Sequence, residues 1–310
     1  MKIGIIGAGL AGLTAARALA EAGHAVSLFD KARGPGGRMS TRRVETAAGM
    51  AFFDHGAQYF NVRDTGFAET VARWEAEGVA ARWPAAGGNA WVGTPGMNAI
   101  IKAEAAGHDV RWNCRIERIV RDGTGWQLTH AEGAETFDTV VVAVPAEQVA
   151  PLLAQHVPAW AALADATLSQ PCWTVMAAFA EPVGFGPDSL RDHGAIGWAA
   201  RNSAKPGRTG PESWVIQGSA AWSAAHLEDE AEPVIAALLA DLTEATGGPL
   251  PETLAVQAHR WRYALSGAAG RTALWDGDLR LGVSGDWLIG PRIESAWASG
   301  RALAAAIVEG

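Results

Sequence analysis

"KIGIIGAGLAGLTAARALAEAGHAVSLFDKARGPGGRM", residues 2–39, decides the fold. "KIGIIG" (2–7) is a short apolar run ended by glycine, as expected of a strand buried on both faces. "LAGLTAARALAEAG" (10–23) places apolar residues at helical spacing and stops on Gly23. "HAVSLFD" (24–30) is the next strand, so the segment reads as a β-α-β unit. Its turn is Gly7-Ala8-Gly9-Leu10-Ala11-Gly12. Gly7 permits the tight turn, Gly9 lets the backbone approach a pyrophosphate, and Gly12 allows close helix–strand contact. The helix start then offers free N–H groups to that anion. Such a motif alone is weak; between a strand and a helix, with an acid closing the second strand, it predicts a bound dinucleotide on Gly7, Gly9, Leu10, Ala11 and Gly12.

That acid is Asp30, positioned to accept from the adenosine ribose hydroxyls. Its charge repels a 2′-phosphate, against NADP at this site, although Lys31 and Arg33 lie beside it as ligands or as solvated loop charges. An NAD dehydrogenase normally continues into another helix and strand. This chain instead continues into Gly34-Pro35-Gly36-Gly37-Arg38-Met39. Two adjacent glycines and an arginine suit a loop passing beneath an extended diphosphate, with Arg38 neutralising charge.

The 310 residues allow one large core or two intertwined domains. A net charge of −8 argues against a nucleic-acid surface and against a basic membrane-surface protein. Cys114 and Cys172 have neither metal-ligand spacing nor the density of a disulfide scaffold, and no metal site is expected. No run reaches the ~20 apolar residues of a membrane span, so a cytoplasmic protein is expected. Fourteen tryptophans against two tyrosines is unusual; most are packing material, and several late in the chain are candidates for a flat-ring pocket.

"MAFFDHGAQYF" (50–60) reads as extended with a turn at Gly56, and 65–78 and 94–107 read as helices. Residues 109–146 read as short strands closing on the apolar run 138–144. From about 150 the character changes. Strand-like 172–180, 195–200, 213–219 and 253–265 alternate with Pro/Gly-rich loops and one strongly helical stretch, 229–246. The end, "DLRLGVSGDWLIGPRIESAWASGRALAAAIVE", is a strand, a Gly-Asp turn and a helix. The fold class is therefore α/β, or α+β overall. A Rossmann-like dinucleotide domain comes from 1–62, 93–150 and 266–310, and an antiparallel-sheet substrate domain from 63–92 and 151–265.

The spaced pattern Gly7, Gly9, Gly12, Ala16, Leu19, Gly23, Val26, Asp30, followed by Gly36-Gly37-Arg38, resembles the FAD signature of flavin-containing amine oxidases. "FDHGAQYF" (53–60), "TVVVAVP" (139–145) and "GVSGDWLIGPRIESAWASG" (282–300) resemble their other flavin segments. "RGPGGRMSTRR", "PCWTVMAAF", "ARNSAKPGR" and "HRWRYA" are similar to renalase-type oxidoreductases, especially bacterial ones. The resemblance implies a p-hydroxybenzoate-hydroxylase-like fold and non-covalent FAD. It also implies oxidation of 2- or 6-dihydro isomers of NAD(P) to NAD(P)+, with electrons passing to dioxygen as hydrogen peroxide. Further cofactor contacts are expected at His55, Gly56, Ala57, Gln58, Ile116, Ala143, Gly285, Asp286, and along the last helix at Ile293, Glu294, Ser295 and Ala296.

A dihydropyridine that loses hydride regains an aromatic ring, so no protein base is needed. Positioning and cofactor electronics then carry the reaction, and no acid–base residue is assigned. Gln58, Tyr59, Trp261, Tyr263 and Trp287 are the candidate pocket residues, and Arg292 faces either a substrate phosphate or solvent. Hydride can also leave a neutral amine, so an amine oxidase or a dehydrogenase of another small substrate is the alternative. A flavin-binding sensor without turnover is a third reading. Partners are a small molecule and dioxygen, with no nucleic acid and no membrane; the oligomeric state stays open.

Overall fold

The computed structural model describes residues 1–123 and 125–310. Its centre is a six-stranded sheet in the order 274–276, 281–283, 139–142, 2–6, 25–29, 109–111. All neighbours are parallel except the edge pair 274–276 and 281–283. Strands from both ends of the chain and from its middle therefore build one sheet.

Alternation along the strands sorts side chains to two faces. Ile3, Ile5 and Val141 face a core formed with helices Leu10–Glu21, Asn98–Ala105 and Ile293–Glu309. Ile6, Val140, Val142 and Val283 face a second core beneath the antiparallel sheet of strands 118–122, 125–130 and 133–137. Gly4 shows how closely the two sheets approach: a Cβ there would meet Leu128 Cδ1 at 2.9 Å. The first and last helices are equally close, since a Cβ on Gly300 would lie 2.3 Å from the Ala11 carbonyl.

Helix Thr65–Ala76 also packs Phe67, Val71 and Trp74 into the first core, and Leu153 and Ala164 pack into the second. Parts of 63–92 and 151–165 thus lie against the dinucleotide sheet. The expected helix over 94–107 is shorter at its start, running Asn98–Ala105.

The five-stranded antiparallel sheet has the order 189–193, 196–201, 212–218, 170–179, 253–265. Trp173, Val175, Ala177 and Phe179 face helix Ala231–Thr246 and its Val234, Leu238 and Leu242. The opposite face carries Met176, Ala178 and Val215 against Ala51 and Phe53 of the hairpin 41–54. Farther along that face, Thr174 stands between Gln217 and His259, and Cys172 beside Trp261. Polar and aromatic groups of the sheet are thereby turned towards the dinucleotide domain.

Candidate active site

Gly7, Asp30, Ala143 and Gly285 all follow carboxyl ends of neighbouring parallel strands, where ligands of open α/β sheets bind. Gly7 has φ +106°, and a Cβ there would sit 2.3 Å from the Ala143 carbonyl. At Gly12 a Cβ would meet the Gly7 carbonyl at 2.0 Å. Gly9 differs: it adopts an ordinary extended conformation (φ −78°, ψ 179°), and nothing lies within 4 Å of a Cβ. Gly9 is the N-cap of the first helix, whose start has no side-chain cap. Free N–H groups, helix dipole and open space coincide there, which is what a pyrophosphate needs.

The Asp30 carboxylate accepts from the N–H of Ala8 and of Ala32, each at 2.8 Å, keeping lone pairs for hydroxyls. Ile116 is buried in the second core, near the point where the Cys114 N–H donates to the Asp30 carbonyl. Lys31 is turned away to Gln148 Oε1 at 2.7 Å. Gly37, at φ +53°, has open space around it, whereas Met39 is buried. Arg38 forms a two-pronged ion pair with Asp286 at 2.6 and 2.8 Å, and Ser266 Oγ adds a bond to Asp286 at 3.0 Å. The two groups assigned to the diphosphate and to cofactor hydroxyls are thus joined across 248 positions of chain.

The last helix begins after Arg292 without a side-chain cap. Ser295 is buried, while Ile293 and Ala296 are half-buried at its opening. The Glu294 carboxylate is already taken by the N–H groups of Arg63 and Asp64 at 2.7 and 2.8 Å. It ties this helix start to the segment entering helix 65–76. Arg292 is exposed.

Between the Arg38–Asp286 pair and the five-stranded sheet lies the turn 54–58. On one side the Ala57 N–H donates to the Arg38 carbonyl, and a Cβ on Gly56 would touch that carbonyl at 2.1 Å. On the other, Trp261 Nε1 donates to the His55 carbonyl and Gln217 Nε2 to the Gly56 carbonyl, both at 2.8 Å. Gln58 Nε2 donates to the Asp54 and Gly56 carbonyls. Three successive carbonyls are therefore fixed by side-chain donors. The rings of His55, His259 and Trp261 pack together with centroids 4.5–5.2 Å apart. Burial, then His259 and Arg42, hold the His55 imidazole down to about 4; burial and Arg42 lower His259 also. The Arg42 guanidinium reaches neutral partners, His259 Nδ1 and Gln257 Oε1, each at 3.5 Å.

Beneath the turn is a carboxylate that sequence reasoning did not single out. Asp54 is fully buried. Its Oδ1 accepts from Thr41 Oγ1 at 2.7 Å and the Met97 N–H at 2.9 Å, and its Oδ2 from Lys205 at 3.2 Å and from Arg208. Its pKa falls to about 2: burial alone would raise it, but Lys205, Arg208 and the Met97 N–H outweigh that. The signal in the sequence was an acid inside the apolar run "MAFFDHG" (50–56).

Two candidate pocket residues point elsewhere. Tyr59 takes a bond from Arg191 at 2.7 Å and packs on Trp198, which stacks under the same guanidinium. Trp287 is wholly buried in the second core behind Gly285. Trp261 and Gln58 hold the turn, and Tyr263, on the same strand face, is partly exposed. A cleft of about 280 Å³ lined by Arg17, Arg73, Glu104 and His108 shares no residue with this site. Among the described residues no cluster of potential metal ligands exists, and no helix is long and apolar enough to cross a membrane.

An uncapped glycine turn, an acid after the second strand and a Gly-Asp turn facing a second uncapped helix define a two-domain dinucleotide-dependent oxidoreductase. The NAD(P)-binding Rossmann-like domain profile matches residues 5–73, and the flavin containing amine oxidoreductase profile matches residues 84–308. The chain belongs to the flavin-containing amine oxidoreductase family; it is an FAD-dependent enzyme. Solved structures agree on the fold. A provisionally assigned protoporphyrinogen oxidase of Exiguobacterium is similar with TM-score 0.77 and 12% identity, over 99% of this chain and 98% of its own. Cyclohexylamine oxidase of Brevibacterium oxydans gives 0.75 and 14%, over 99% and 98%. An oxidoreductase from Methanosarcina mazei gives 0.65 and 16%, over 97% and 99%.

Four outcomes are expected. Gly9→Ala folds with stability within about 0.5 kcal/mol of the parent but loses FAD affinity by at least roughly tenfold, because its methyl occupies the anion's place; Gly12→Ala disrupts the fold itself. Urea unfolding beside flavin-fluorescence titration separates the two. Asp54→Asn leaves Lys205 and Arg208 buried without their counter-charge and costs about 3–5 kcal/mol. In the parent, the contribution of Asp54 is complete above its unfolded pKa near 4 and is lost as pH falls towards about 2, as unfolding curves at stepped pH will report.

Proposed function

We propose that the chain is an FAD-dependent oxidase of renalase type, taking hydride from 2- or 6-dihydroNAD(P). One donor, one dioxygen and one proton give NAD(P)+ and hydrogen peroxide. When bound, FAD supplies the hydride acceptor and the route of two electrons to dioxygen.

The supporting observation is the sign of charge around the turn 54–58. Lys205, Arg208 and Arg42 are met there by one carboxylate, Asp54. An amine arrives at neutral pH as an ammonium ion and is repelled by that excess. A dinucleotide carries its own negative diphosphate and is attracted. The ring cluster His55, His259 and Trp261 offers flat faces suited to a nicotinamide, and its imidazoles are neutral at working pH. Under this reading Arg42 meets substrate phosphate, the fixed turn orients the ring, and no side chain removes a proton.

Amine oxidation is the second reading. It needs only an amine bound in its neutral form, since hydride can leave such a donor without a protein base. The fold relative from Brevibacterium oxydans is a cyclohexylamine oxidase.

Anaerobic mixing of the FAD-loaded protein with 6-dihydroNAD, 6-dihydroNADP, NADH and a panel of amines tests the proposal by bleaching of the flavin band. Fast bleaching by a 6-dihydro isomer is expected, and bleaching by amines alone overturns it. Arg42→Gln is expected to raise KM for the nucleotide about tenfold, or about 1.4 kcal/mol, with kcat little changed.

A further inference from the structure

Asp54, Lys205 and Arg208 enclose two cations and one carboxylate in space that solvent does not reach, with side-chain exposures of 0%, 0% and 1%. A buried ion pair needs its charges balanced, so the second cation calls for an explanation. Arg208 is well provided for: it also donates to the carbonyls of Gly93 at 2.5 Å and Pro206 at 2.7 Å. Among the described residues Lys205 has only Asp54, the Gln58 Oε1 at 3.2 Å, and the Trp83 ring 5.3 Å below its ammonium. The uncompensated charge is therefore that of Lys205, and its outlet is Gln58.

Gln58 passes that constraint on. With its oxygen held by Lys205, its NH2 must point at the carbonyls of Asp54 and Gly56. These belong to the turn wedged between the Arg38 carbonyl on the cofactor side and Trp261 and Gln217 on the sheet side. Lys205 stands at the root of this chain of bonds, 147 positions from Gln58.

We propose that Lys205 is a positioning residue of the redox site, fixing the 54–56 turn through Gln58 and lending its uncompensated charge to favour the reduced form of the bound flavin. Two-electron reduction adds negative charge to the flavin, and a buried cation nearby stabilises that charge more than one in water does. Burial first, then Arg208, hold the ammonium down to about 8, with Asp54 opposing. The charged groups facing it are Asp54 and Arg208; His55, next to Asp54, is neutral above about pH 4. The aid to reduction is thus present below about pH 8 and fades above it.

The inference rests on FAD binding and not on the identity of the donor, so its test uses no substrate. Midpoint potentials of the FAD-loaded parent, Lys205→Met and Lys205→Arg are measured by dye-linked reductive titration from below to above pH 8. Lys205→Met keeps a balanced Asp54–Arg208 pair and should hold FAD. Its ratio of reduced to oxidised flavin at a fixed potential should fall on the order of tenfold at neutral pH. The two proteins should converge above pH 8, and Lys205→Arg should retain the parent potential without convergence. Equal potentials for the parent and Lys205→Met at every pH overturn the proposal. If Lys205→Met fails to hold FAD, the parent and Lys205→Arg are compared instead. The potential of the parent should fall below that of Lys205→Arg above pH 8, and equal potentials at every pH overturn the proposal.

Discussion

A single buried carboxylate holds the halves of this molecule in register. Asp54 ends a strand of the hairpin on the dinucleotide side, and its four partners come from the other strand of that hairpin, the start of helix 98–105 and the 202–208 loop of the substrate sheet. Asn202 doubles the connection by bonding the Asp54 N–H and the Phe52 carbonyl. A desolvated charge tolerates little misplacement, because each lost partner costs several kcal/mol. Greasy contacts among Phe53, Met176 and Val215 fill the same junction but could slide; the ion cluster fixes where they meet.

Electrostatics then divide the site in two. At the dinucleotide end, charge is balanced locally, Arg38 against Asp286, and the uncapped helix start at Gly9 leaves its N–H groups open. At the turn 54–58, positive charge exceeds negative while the two imidazoles stay neutral, since burial and neighbouring cations both disfavour their protonation. Hydride chemistry suits such an environment. It moves charge towards the flavin without asking the protein to exchange protons at the reacting atoms.

The dinucleotide half was legible in the sequence because its signals are local. Gly12 answers to the Gly7 carbonyl five residues earlier, Gly7 to the left-handed turn it must make, Asp30 closes a strand, and Gly285-Asp286 closes another. The substrate half was legible as strands and less so as a site. Trp287 was expected at the flavin because it follows Asp286, yet the short helical turn 286–288 swings its ring into the core. Tyr59 follows Gln58, but its hydroxyl goes to Arg191 on an edge strand. The tie made by the Glu294 carboxylate was not legible, because its partners Arg63 and Asp64 are 230 positions away or more. The Asp54 cluster was hidden for the same reason: "FDHGAQYF" and "ARNSAKPGR" each stood out, and only the fold brings them together.

The close seat of Gly300 on Ala11 carries a consequence for how the chain is made. The first helix finds its closest partner in the last, and strand 2–6 sits in a sheet completed by strand 281–283. Contacts so distant in sequence make closure slow, and during synthesis the N-terminal β-α-β unit must wait with its apolar face uncovered. The antiparallel sheet and helix 231–246, made wholly of residues 170–265, can assemble in that interval. A chain made from its N-terminal end can thus complete this sheet-and-helix layer before the cofactor half closes against it.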